Sequence, residues 1–153
     1  MAFGTPRSDD IQQLGSGERQ GDNNTILSST VFENGLMVGR FAKLDAGSID
    51  NIDGSATPVP AGVVLRNVAS PVEDGDAIDS ALYGQVEYLR QGLVTIDVVT
   101  GQTPAQFGAV SISNAGDADD GKALATGGVA VNAEFIHEVQ PDVWLINIIS
   151  LNA

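Results

Sequence analysis

The sequence predicts an all-β fold: a compact barrel, tulip-like or sandwich domain of short antiparallel strands, with an extended N-terminal arm. Three observations carry this expectation. Short apolar runs recur at a spacing of roughly ten residues, as in sandwiches and barrels. Eighteen glycines and six prolines supply turns between those runs and suit long helices badly. No stretch sustains the helical period of apolar residues.

Residues 1–30 are polar, rich in Gly, Ser, Asp, Asn and Gln, with isolated apolar anchors at Phe3, Ile11, Leu14, Ile26 and Leu27. That pattern predicts an extended arm, ordered against a surface, and leaves 31–153 as the β domain. Asn34-Gly35 between Val31-Phe32 and Leu36-Met37-Val38 reads as a hairpin turn. Arg40 to Leu44 alternates as a strand and Asp45-Ala46-Gly47 closes it; Ile49 to Pro60, with Asp53-Gly54 and two prolines, reads as a loop. Ala61 to Leu65 is a buried apolar strand, Pro71 a stop, and Glu73-Asp74-Gly75-Asp76 an acidic turn.

The stretch Leu82 to Ile112 reads as a three-strand unit. Tyr83 to Leu89 is one strand, joined as a hairpin through Arg90-Gln91-Gly92 to a second in which Val94, Ile96 and Val98 alternate with Thr95 and Asp97. A helical turn is expected at Pro104 to Phe107, then a strand at Ala109 to Ile112. Turns follow at Ser113 to Asp117 and at Asp119-Asp120-Gly121. Further strand patterns run over Val129 to Val131 and Glu134 to Val139. After Pro141-Asp142, Val143 to Ile149 is the most apolar run and is expected inside a sheet.

Charge narrows the function classes. The net charge is −13, with only seven basic residues, none adjacent to another. Phosphate neutralisation needs clustered Lys and Arg, so direct nucleic-acid binding is not expected. An anionic membrane surface would repel the chain, and no apolar run is long enough for a span. The N-terminus lacks the basic start and apolar core of a secretion signal, so synthesis in a cytoplasm is expected. With no cysteine, disulfides, thiolate metal sites and Cys nucleophiles are excluded.

Catalytic patterns are also missing. His137 is the sole histidine, on a strand pattern, and no nucleophile elbow, phosphate loop or zinc-protease motif occurs. The acidic turns fail the calcium-loop spacing: with Gly121 at loop position six, Gly116 and Ala118 fall where oxygen ligands are required. Paired carboxylates for glycoside hydrolysis would want aromatic platforms, and one Trp, two Tyr and five Phe are spread thinly. No enzyme, metal or cofactor is expected.

The chain resembles the small head cement, or capsid decoration, proteins of tailed bacteriophages over most of residues 1–149. The residues that carry the likeness are Met1-Ala2-Phe3-Gly4 with Pro6, then Gly62-Val63-Val64 and Tyr83-Gly84-Gln85-Val86. Gly92 to Ile96, Gly108 to Ile112 and the closing run Trp144 to Ile148 complete it. The resemblance implies a non-enzymatic virion protein on the capsid exterior. It would bridge major capsid protein subunits as a homotrimer and stabilise the expanded shell, using no nucleic acid, membrane or cofactor. It also implies that the arm contacts the shell, with Phe3, Pro6, Arg7, Ile11 and Leu14 as contact candidates. The alternatives are a β-rich virion module recognising carbohydrate or a host surface and, less supported by the residues, a small carboxylate hydrolase.

Overall fold

The computed structural model describes residues 16–30, 35–66, 77–78 and 85–151. They form eleven strands: β1 (Arg19–Thr30), β2 (Leu36–Met37), β3 (Phe41–Asp45), β4 (Ser48–Asn51), β5 (Pro60–Val64), β6 (Ala77–Ile78), β7 (Gln85–Asp97), β8 (Ala109–Ile112), β9 (Ala123–Leu124), β10 (Val129–Gln140) and β11 (Val143–Ser150). Among the described residues there is no helix, and the protein is all-β. One antiparallel sheet runs β4-β3-β5-β7-β11-β10-β8-β9, with β1 also on β7, and curls into a half-barrel; β2 and β6 make a separate ribbon. A bridge from Val98 to Ala123 brings β9 back against the continuation of β7.

β7 is the hub, because three strands pair with it. β1 lies along one edge from Gln85 to Val94. The other edge is shared by β5 at Tyr88 and Leu89 and by β11 from Gly92 to Asp97. A strand can serve two neighbours on one edge only if it bends between them. Here Thr25 faces Gln91 while Ile26 faces Leu89, so Arg90 is an extra residue, a β-bulge. The bulge reverses the alternation of side chains. Leu89 before it and Val94 and Ile96 after it thereby reach the same core. Gly92 next to it has φ of 120°, which side chains disfavour. Arg90, re-aimed by the bulge, donates to the Ala61 carbonyl at 3.1 Å and to the Leu151 carbonyl, closing the fork between β5 and β11.

The sheet around β5 is buried on both faces, which explains its unbroken apolar run. Ala42, Val64, Val86 and Tyr88 pack on one side under Leu36 and Val38. Phe41, Val63 and Leu89 pack on the other into the main core, with Ile96, Ile112, Phe135, Ile146 and Ile148. Each such fully buried Ile or Phe contributes roughly 2 kcal/mol over an exposed one. Phe135 and Trp144 meet edge to face, ring centroids 5.5 Å apart.

Four expectations need correction. The Arg90-Gln91-Gly92 hairpin does not exist, since β7 is continuous through it. The loop expected from Ile49 begins later, because β4 runs to Asn51 and pairs with β3 across the Ala46-Gly47 turn. Pro104 to Phe107 is a turn and not helical: the Gly108 amide donates to the Ala105 carbonyl at 2.9 Å and Phe107 has φ of 62°. Val129 to Val139 is one strand, β10, and not two. The expected strands at Ala109 to Ile112, Ala61 to Leu65 and Val143 to Ile149 are present as β8, β5 and β11, the last paired on both edges. Val31-Phe32, Asn34, Pro71, the turn at 73–76 and Tyr83-Gly84 lie outside the described residues.

Candidate functional site

The N-terminal segment enters the domain at a closely packed point. Ser16 and Gly17 are both buried. The Gly17 amide donates to the Thr95 carbonyl of β7 at 2.8 Å, and the Gly17 carbonyl accepts from the Arg66 amide at 2.8 Å. Gly17 has φ of 76°. A Cβ there would lie 2.8 Å from Val38 Cγ1 and 2.9 Å from the Val64 carbonyl, so backbone must approach there unobstructed. Gly39 packs so closely against Ser16 that a Cβ on it would overlap Ser16 Oγ. Thr95, wholly buried, completes the clamp: its amide donates to the Glu18 carbonyl and its hydroxyl accepts from the Glu18 amide, each at 3.0 Å. The root of the segment is thus held by β5, β7 and the turn at Val38-Gly39.

From this root β1 runs along β7. Asn24 fills the gap in its register: its side-chain amide donates to the Gln20 and Gly21 carbonyls, and its oxygen accepts from the Leu93 amide at 3.1 Å. So residues 16–30 of the expected arm lie on the domain as the root and β1. The contact candidates Phe3, Pro6, Arg7, Ile11 and Leu14 all lie outside the described residues. Sequence reasoning missed the root. Its signals were the Gly15-Ser16-Gly17 cluster and a threonine between Val94 and Ile96, neither distinctive alone.

The residues weighed for chemistry have structural placements. His137 is exposed on β10, with Nδ1 3.2 Å from the carbonyl of its neighbour Glu138. The acidic turn at Asp117 to Gly121 is self-satisfied: the buried Asp120 carboxylate accepts from the Ala115 and Gly116 amides. Arg40 ties that turn to β3 by donating to the Ala118 and Asp120 carbonyls. Among the described residues no three His, Cys, Asp or Glu converge as metal ligands. Lys43, 8% exposed, pairs with Asp53 at 2.9 Å. The hydrogen bond to Asp53 holds the Lys43 ammonium above the ordinary lysine range, against the opposing effect of burial. The same bond, helped by Ser55, holds Asp53 below the usual carboxylate range. This pair ties β3 to the start of the β4–β5 loop.

The described residues form an all-β body with a segment clamped at its root, and the comparisons with known proteins say what class of protein this is. The XM1 gp53 minor capsid protein family matches residues 10–149, and the chain belongs to this family. A chain from a structure described as the capsid of Myoviridae phage XM1 superposes with a TM-score of 0.85 at 30% identity, covering 99% of this chain and 100% of that one. No curated protein matches. The protein therefore has a structural role in a phage virion and associates with the capsid, as the resemblance to capsid-bound proteins implied. A structural role of this kind is consistent with a protein that is not an enzyme.

Proposed function

We propose that the protein binds the outer surface of an icosahedral phage capsid and cements the expanded shell by bridging major capsid protein subunits. In this reading the working unit is a homotrimer. The first thirty residues are the arm: its second half lies on β7 as β1, and its first half leaves the root to reach the shell through Phe3, Pro6, Arg7, Ile11 and Leu14. The observation that carries the reading is the clamp on Ser16 and Gly17. An arm transmits load between subunits only if its root cannot peel from its own domain, and here the root is hydrogen-bonded on both sides, to Thr95 of β7 and to Arg66 just past β5. A binder that recognises only the expanded shell stabilises that state by linkage, and several copies acting together need no single strong contact.

Deleting residues 2–15 tests the arm. The shortened chain should fold with an unchanged thermal midpoint, because the clamp and β1 are intact, yet be lost from expanded heads on sedimentation. Undiminished occupancy of the heads by the shortened chain would remove the arm mechanism.

A further inference from the structure

The chain enters and leaves its sheet at opposite ends of one stretch of β7. β1 and β11 both run antiparallel to β7, one on each edge, so they run in the same direction as each other. Leu93 faces Gln20 of β1 and Asn147 of β11, and Val94 faces Arg19 and Ile146. One position further, Thr95 lies between the Gly17-Glu18 backbone and Leu145. The N-terminal segment therefore arrives at the Asp97 end of this stretch. β11 departs at the other end, where Ile148 faces Gly92.

Both exits are fastened by bonds outside the ladders. At the first, the Gly17 carbonyl accepts from the Arg66 amide. At the second, Arg90 donates to the carbonyl of Leu151, just past β11, and to that of Ala61 in β5.

Sheet hydrogen bonds lie perpendicular to the strands. A pull that draws Ser16 out of one end and Leu151 out of the other is directed along the strands. It slides β1 and β11 past β7 in opposite senses and strains both ladders at once. A pull that parts two strands from a shared end opens the same bonds one after another. We propose that the domain is a tension-bearing link, loaded in shear along β7 between the arm root and the Leu151 end. This deepens the cementing role and rests on it for the source of the load: an arm engaged on one capsid subunit pulls at Ser16. It also puts the domain's own hold on the shell towards the Leu151 end.

Force spectroscopy on the isolated full chain tests the proposal without a capsid. The chain has no cysteine, so Thr103→Cys and Pro141→Cys each supply a unique handle, both exposed and both close to the Asp97 end of β7. Each variant is pulled in two ways, end to end and from its N-terminal end to the cysteine. The folded chain and its stability are the same in both pulls, so a difference in force reports the direction of loading. At one loading rate, the end-to-end pull should break at several-fold higher force. Equal forces in the two directions, or a weaker end-to-end response, in either folded variant would overturn the proposal. The arm mechanism fails separately, in head retention after deletion of residues 2–15, whatever forces the isolated chain withstands.

Discussion

Thr95 and Lys43 show how single side chains fix this molecule in place. An alternating strand assigns Thr95 to solvent, since Val94 and Ile96 face the main core. The structure buries it on the opposite face because the root of the N-terminal segment lies over it, and its hydroxyl meets the Glu18 amide. Nothing in the residues near Thr95 encodes that cover, which comes from a segment 77 positions earlier. Lys43 is burdened by burial and relieved by Asp53, which leads to a pH prediction. Asp53 is depressed, so its contribution is present above the ordinary carboxylate range and lost as pH falls through its lowered value. Lys43 is raised, so its contribution is present below the ordinary lysine range and lost only as pH rises through its raised value. Between those limits the pair is constant. Because the Asp53 side chain is 53% exposed, solvent screening limits the pair to about 1 kcal/mol. The difference in thermal midpoint between the native chain and Asp53→Asn should be level near neutrality and close on acidification. A difference that persists until acid unfolding would refute the assignment.

Among the elements, β7 decides the architecture, and it was the hardest to read. Arg90-Gln91-Gly92 has the composition of a turn, and a bulge uses the same residues for the same reason: both need a local break in the ladder. What separates them is whether the two flanking runs pair with each other or with third parties, and that is a long-range fact. By contrast β5, β8 and β11 were legible, because their apolar runs are bounded by glycine or proline and buried whichever neighbour they have. β1 was not, since Gly21 to Asn24 destroys its alternation and the Asn24 side chain replaces the missing ladder bonds. The bend gives an expectation for Gly92. Its φ of 120° lies where only glycine is at ease, so Gly92→Ala should cost about 1–3 kcal/mol, read as a lower urea midpoint. An unchanged midpoint would mean that β7 does not need the bend to serve both β5 and β11.

At the scale of the whole molecule, the all-β class and the capsid association were legible before any coordinates, for different reasons. The class came from glycine-punctuated apolar runs. The association came from a resemblance spread over several such runs, and the family match over residues 10–149 supports it. The root clamp was not legible, because it joins segments far apart in the chain. In the proposed function the protein acts by the surface it covers. The most direct measurement is difference imaging of expanded heads assembled with and without the chain. The account predicts added density on the outside of the shell, spanning neighbouring major capsid subunits. Density on the inner surface, or confined to a single subunit, would contradict it.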